Sequence, residues 1–237
     1  MSIAIIIPTY KETENIKILL KKIFQNISKA KVFIVDDSPD KGILSELRDF
    51  KNVNYIYRGQ KMGRGSAVLA GMKEAFKSEH NKIFVEMDAD LSHEPNEIGE
   101  KLTYFSLNSC AMLLSSRYLK KSNIKNWPVQ RKIFSFFANK IAKFLLEVPV
   151  SDYTNGYRMY SRPATKHIIL NCGKIGDGFI ILSEILVELY YNNFLIKEIP
   201  SIFVNRTRGE SSINLKEIIY SFLGLIKVYK LKKKLNS

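Results

Sequence analysis

The sequence predicts an α/β fold, a single domain over 1–237 built on a mostly parallel central sheet flanked by helices. Three observations carry this. Short apolar runs, Ile3 to Ile7, Val32 to Val35 and Ile83 to Val85, have the continuous hydrophobicity of strands covered on both faces. Amphipathic segments separate them, the pattern of crossover helices. Each run then ends in a polar cluster, Pro8-Thr9-Tyr10, Asp36-Asp37 or Asp88-Ala89-Asp90. In open parallel sheets ligands sit beyond the carboxyl ends of the strands, so three such clusters on one edge predict a binding site.

Taken in order, Ile3 to Ile7 is the first strand, and Pro8 ends it because proline cannot continue a central ladder. A helix starts at Glu12 to Asn15, with Ile16, Leu19, Leu20, Ile23, Phe24 and Ile27 on one face. Val32 to Val35 is the second strand, Ile43 to Phe50 a second helix and Val53 to Tyr57 a third strand. Lys61 to Ala67, with Gly63-Arg64-Gly65, opens a helix that runs to about Lys77. The strand before Asp88 follows, and Glu94-Pro95 has the form of a helix start. Another short strand ends at Ser115-Ser116-Arg117-Tyr118. Trp127-Pro128 starts a long helix to about Glu147, with Ile133, Phe134, Phe137, Ile141, Phe144, Leu145 and Val148 on one side. A polar loop, Ser151 to Tyr157, precedes a strand; Gly176 to Phe179 leads into a helix; Ile199 to Val204 is a late strand. A basic loop, Arg206 to Ser212, precedes the C-terminal helix. No repeat, low-complexity tract or linker interrupts the chain.

Lys and Arg (37) exceed Asp and Glu (23), a formal charge of +14 that favours anionic partners. Cys110 and Cys172 are isolated and suit neither a zinc site nor a disulfide framework, as expected in a reducing compartment. The N-terminus lacks the basic and long apolar regions of a signal peptide, so a cytoplasmic location is expected.

Asp88 and Asp90, two apart, face the same side of an extended strand end. Carboxylates held that close repel unless a positive charge lies between them. A divalent cation of the Mg²⁺ or Mn²⁺ type is the simplest candidate, while solvation of a strand-to-helix turn is the plainer alternative. Other chemistries find little support. Val68 stands where a dinucleotide fingerprint needs its third glycine, and there is no phosphate-binding P-loop or G-x-S-x-G elbow. His80, His93 and His167 are too scattered for a zinc cage, and His93 reads as a loop or helix-start residue rather than a ligand.

Pro8 to Glu12, Asp36 to Asp40, Gly63 to Ala67 and Asp88 to His93 together resemble the motif set of inverting family 2 glycosyltransferases of the GT-A fold. More narrowly, the set looks like the dolichyl-phosphate mannose synthase group. The resemblance continues through Arg117-Tyr118, Trp127-Pro128, Arg131, Ser135 and Arg206 to Ser211, nearly the whole chain in order. It implies that Pro8, Tyr10, Glu12 and Asp37 hold the nucleotide base and ribose. Asp88, Ala89 and Asp90 would hold the sugar nucleotide's diphosphate, with Asp88, Asp90 and Ser92 around Mg²⁺ or Mn²⁺. Arg117 and Arg206 would add positive charge near phosphates. Arg117, Arg131 and Ser135 would bind the acceptor phosphate, the last two sharing a helical face. Asp90, Arg117 and Arg131 would carry most of the catalysis. Two departures from the family pattern stand out: Ser212 replaces a lysine, and Lys11 stands where asparagine is common.

The reaction so implied is inverting transfer of a hexose, mannose from GDP-mannose before others, to dolichyl or another polyprenyl phosphate. Glucose from UDP-glucose and extension of a glycan remain alternatives. A glycan-extending enzyme would need a general base, for which Asp152 and Asp177 are the weak candidates. A nucleic-acid-binding module fits poorly, since basic residues are spread along the chain and the strand ends are acidic. The expected partners are the nucleotide sugar, the lipid phosphate, the membrane surface and a small membrane-anchoring protein. Ile218 to Tyr229, interrupted by Lys227, falls short of the roughly 20 residues of a membrane span. The segment from about 213 to 237 reads instead as an amphipathic helix, packed on the core or laid on a membrane by Lys227, Lys230 and Lys232 to Lys234.

Overall fold

The computed structural model describes residues 2–205 and 215–236. Seven strands form the main sheet: β1 (Ser2–Thr9), β2 (Lys31–Asp36), β3 (Val53–Tyr57), β4 (Asn81–Glu86), β5 (Met112–Ser116), β7 (Arg158–Ser161) and β8 (Ile196–Pro200). Their order is β3-β2-β1-β4-β7-β5-β8, and β7 alone runs antiparallel to its neighbours. A separate parallel pair joins β6 (Asn123–Lys125) to β9 (Ile202–Val204). The helices are α1 (Thr13–Asn26), α2 (Arg64–Phe76), α3 (Ile98–Leu107), α4 (Val129–Leu146), α5 (Arg162–Asn171), α6 (Ile181–Tyr191) and α7 (Leu215–Leu235).

The continuous apolar run of β1 is explained by cover on both faces. Ala4 and Ile6 join a core that includes Val68, Met72, Ile185 and Leu186, from α2 and α6. Ile5 and Ile7 join the opposite core, with Ile16, Leu19 and Leu20 of α1 and Ile98 of α3. β1 continues through Pro8 to Thr9, further than a proline stop suggests. Its pairing with β4 has already ended at Ile6, opposite Glu86, so Pro8 lies where only β2 pairs beside it.

Two expected elements differ. The second helix is only a 3-10 turn, Gly42–Leu47, with Ile43 and Leu47 buried. Two inward apolar residues over so short a segment do not make the stripe that sustains an α-helix. The late strand from Ile199 divides at Ser201: β8 completes the main sheet and β9 leaves it to pair with β6.

Helix α4 turns Asn139, Ala142 and Leu146 inward, whereas Phe134, Phe137, Ile141 and Phe144 are exposed. α7 packs against α6 and α4, burying Leu225 and Val228 and exposing Tyr220, Phe222, Leu223 and Ile226. Lys232 corrects one expectation for the C-terminal lysines. It is buried, with Nζ 2.7 Å from Glu147 Oε2 and donating to Leu145 O at 3.2 Å, so it fastens α7 to the end of α4. Lys227, Lys230, Lys233 and Lys234 remain exposed. Among the described residues no helix is long and apolar enough to cross a membrane.

Candidate active site

Strand order reverses beside β1, whose parallel neighbours are β2 and β4. Such a switch point leaves a crevice at the strand carboxyl ends. Pro8 to Glu12, Asp36-Asp37 and Asp88 to Asp90 all leave the sheet on that edge.

On the β2 side the two acidic residues do different work. Asp36 is fully buried and accepts from Thr9 Oγ1 at 3.1 Å, Ser38 Oγ at 2.6 Å and the Tyr55 hydroxyl at 2.9 Å, so it ties three strand ends together. Asp37 accepts both arms of Arg58, at 2.5 and 2.7 Å, and the backbone N–H of Met62 at 2.8 Å. It therefore orders the loop ahead of α2. Tyr10 stands partly exposed, with the ammonium groups of Lys11 and Lys61 at 5.5 and 5.2 Å from its ring centre. Glu12 accepts from Asn15 Nδ2 at 2.6 Å at the start of α1. Lys11 has φ 58, a left-handed conformation that asparagine adopts more readily than lysine, which gives the departure at this position a backbone meaning.

The positive charge at the carboxylate pair is supplied in part by the chain itself. Arg64 donates to Asp88 Oδ1 through Nε and Nη2, at 2.8 and 2.7 Å, and to Glu86 Oε1 through Nη1 at 2.6 Å. Glu86 is fully buried, and its other oxygen accepts from the Tyr160 hydroxyl at 2.8 Å. Burial alone would lower the Arg64 pKa, but the charges of Asp88 and Glu86 outweigh it and hold the guanidinium ionised. The glycines around Arg64 serve packing rather than phosphate binding. Gly65 N and Ser66 N donate to Asp177 O, and a Cβ on Gly63 or Gly65 would stand 2.5 Å from Asp177 O or 2.7 Å from Gly178 O. Asp177 thus meets α2 through its carbonyl.

His93 organises the same loop. Its Nδ1 accepts the N–H of Asp88 at 3.0 Å, which places the ring proton on Nε2, facing Asn155 Oδ1 at 2.9 Å. The ring stacks on Tyr157 with centroids 5.1 Å apart. Asp90 Oδ1 accepts the N–H of Ser92 at 3.1 Å, and the Ser92 hydroxyl is buried without a hydrogen-bond partner among the described residues. Hard oxygen donors and an unserved hydroxyl fit a divalent ion. No group of three or more His, Cys, Asp or Glu gathers among the described residues.

The other wall is cationic. Arg117 forms a two-armed pair with Asp152, at 2.8 and 2.8 Å, and donates to Thr154 Oγ1 at 2.5 Å. Burial opposes the charge of both partners, yet each overcomes it for the other: Arg117 is raised and Asp152 held below the usual carboxylate range. Asp152 is fully buried in this pair, which removes it as a general base. The Arg117 and Arg131 guanidinium carbons lie 5.3 and 4.3 Å from the Trp127 ring centre. Arg131 donates to Asn205 Oδ1 at 3.0 Å, and Ser135 Oγ accepts from the Tyr118 hydroxyl at 2.7 Å. Arg206 and the rest of the basic loop through Ser212 lie outside the described residues.

The structure therefore brings the sequence-predicted residues into two groups, one around Asp88 and Asp90 and one around Arg117, Arg131 and Ser135. Arg58, Arg64 and Glu86 were missed. Arg64 stood between two glycines that did attract notice, whereas its partners are non-local.

A mixed sheet with acidic loops at its switch point is the architecture of a GT-A glycosyltransferase. The chain belongs to that class through glycosyl transferase family 2, whose description matches residues 4–169. It is 32% identical over 224 residues to a polyprenol monophosphomannose synthase of Mycolicibacterium smegmatis, covering 91% of this chain and 83% of that one. It is 35% identical over 240 residues to a dolichol-phosphate mannosyltransferase of Pyrococcus furiosus, covering 98% of this chain but only 64% of that longer protein. Among solved structures, the glucosyl-3-phosphoglycerate synthase of Mycobacterium tuberculosis superposes over 97% of this chain and 80% of its own. The TM-score is 0.69 at 14% identity, in a complex with Mn²⁺, UDP-glucose and phosphoglyceric acid. At that identity the likeness speaks for the fold alone.

Proposed function

We propose that this chain transfers mannose from GDP-mannose to a polyprenyl phosphate, with inversion at the sugar carbon, at the cytoplasmic surface of a membrane. The names of the two curated relatives support this reading. The observation that carries it is the double aspect of α4. Arg131 and Ser135 share the side of the helix that continues through the buried Asn139, Ala142 and Leu146. The other side exposes Phe134, Phe137, Ile141 and Phe144, and the neighbouring α7 exposes Phe222, Leu223 and Ile226. A phosphate-binding group backed by an apolar outer surface suits a substrate whose head is anionic and whose tail lies in lipid.

Tyr10 offers a ring for the base, and Glu12, Asp37 and, by motif, Arg206 would join it in holding the nucleotide. Asp90 and Ser92, with Asp88 held by Arg64, would hold Mg²⁺ or Mn²⁺. That ion, when bound, neutralises the departing nucleoside diphosphate as a Lewis acid. Arg131, Ser135 and Arg117 orient the lipid phosphate, whose oxygen attacks the anomeric carbon in line as the bond to the diphosphate breaks. A phosphomonoester, with a second pKa near 6, is already anionic at neutral pH, so no side chain need remove a proton.

The test is transfer of label from GDP-mannose and, in parallel, UDP-glucose into organic-extractable lipid, with Mn²⁺ and a polyprenyl phosphate. Mannose is expected in the lipid phase. Transfer from UDP-glucose alone would overturn the choice of sugar, and labelled glycan without labelled lipid would overturn the choice of acceptor.

A further inference from the structure

Trp127 is the only tryptophan of the chain, and it retains 7% of its exposure. Its indole N–H is closed off from solvent and, among the described residues, has no hydrogen-bond partner. A buried donor without an acceptor carries its full desolvation penalty, and such orphans in a folded chain point to a group that arrives from outside. The surroundings say which kind. The ring lies near two guanidinium groups, Arg131 at 4.3 Å and Arg117 at 5.3 Å, and meets the edge of Phe203 with centroids 5.2 Å apart. The next residue, Pro128, is the N-cap of α4 and supplies no side-chain acceptor, and the first turn of that helix contains no acidic residue. Arg131, Arg117 in its pair with Asp152, and a helix start therefore converge beside an unserved donor, an environment that admits an anion.

We infer that the Trp127 N–H is a hydrogen-bond donor to the acceptor's phosphomonoester, beside Arg131 and Ser135. The inference rests on the acceptor reading given above and adds to it a residue that fixes the phosphate's orientation. A planar N–H on a ring that lies near two guanidiniums supplies direction, whereas the arginines supply charge. The N–H is covered in the ligand-free chain, so binding has to shift part of that cover.

Because the chain has one tryptophan, the unmodified protein reports on the inference directly. In a ¹⁵N-labelled sample a single indole N–H resonance exists, and farnesyl phosphate is the soluble probe. A saturable downfield shift of that resonance is expected with farnesyl phosphate, and a weaker one with inorganic phosphate. GDP with Mn²⁺ should leave it nearly in place. Trp127→Phe keeps an aromatic ring and removes the donor. It should weaken farnesyl phosphate binding by about tenfold to a hundredfold, the range for a lost hydrogen bond to a charged group, while GDP–Mn²⁺ binding stays within about twofold. If farnesyl phosphate binds and Arg131→Ala weakens it, but the indole resonance does not move, the acceptor reading stands and the role of Trp127 is refuted. Equal affinity of Trp127→Phe and the unmodified chain refutes it too. If farnesyl phosphate does not bind the unmodified chain at all, the acceptor reading itself fails. A shift larger with GDP–Mn²⁺ than with farnesyl phosphate would place Trp127 at the donor site and overturn the inference in its present form.

Discussion

Replacing Arg64 by alanine tests how the carboxylate cluster is held. Arg64 is 11% exposed as a side chain, and it faces Glu86, which is fully buried, and Asp88, which is 26% exposed. Removing it leaves Glu86 with the Tyr160 hydroxyl and without its ion-pair partner, although the buried Arg158 lies opposite it on β7. Breaking a buried pair in this way costs about 3–5 kcal/mol. For a chain of this length that lowers the melting temperature by roughly 6–20 °C, at about 2–4 °C per kcal/mol. Urea unfolding followed through the single tryptophan gives the number directly. The double variant Arg64→Met with Glu86→Gln should lose less than Arg64→Ala alone, because no buried charge is stranded. Arg64→Lys should recover part of the stability but less of the metal-dependent nucleotide affinity, since an ammonium cannot grip Asp88 and Glu86 with a fork. A loss below about 1 kcal/mol for Arg64→Ala would mean that water screens the pair, and the reasoning would be wrong.

Three further outcomes are expected. Asp90→Ala should abolish Mn²⁺-dependent binding of GDP-mannose by calorimetry while leaving the melting curve nearly unchanged; retained metal dependence would remove Asp90 from the metal site. Phe137→Ser with Phe144→Ser should release the chain from anionic liposomes in co-sedimentation without altering GDP binding; unchanged sedimentation would assign that face to a protein partner. Asp152 is held below the usual range by Arg117 against the raising effect of burial, so its contribution to stability is present above the unfolded value of about 3.9 and lost as pH falls through the folded value. Asp152→Asn should therefore be less stable than the unmodified chain near neutrality, with the difference narrowing below about pH 4; a constant difference would contradict the pairing.

Much of the fold was legible because its signals are local. The apolar runs of β1, β2 and β4 and the stripe of α1 depend only on residue spacing, and all four elements form where the spacing places them. Gly42–Leu47 was overread because a short apolar pair resembles the beginning of a helix. The division at Ser201 was hidden because β8 and β9 differ in which strand lies beside them, not in composition. The site shows the same divide. Asp88, Asp90, Arg131 and Ser135 could be named from motif and spacing, yet Arg64 reaches Asp88 across 24 positions and Arg117 reaches Asp152 across 35. Partners that far apart become visible only when the sheet brings their loops together. The apolar side of α4 was visible as a pattern, but its exposure, with Phe144 at 81%, was not.

The most direct measurement is ³¹P spectroscopy of the polyprenyl phosphate during turnover with GDP-mannose and Mn²⁺, beside a parallel reaction in which the matched polyprenol replaces the phosphate. The expected result is conversion of the phosphomonoester resonance to a phosphodiester, one for each GDP released, and no sugar transfer to the polyprenol. Release of GDP with the monoester resonance unchanged, or transfer to the polyprenol at a similar rate, would contradict the assignment of the lipid phosphate as the nucleophile.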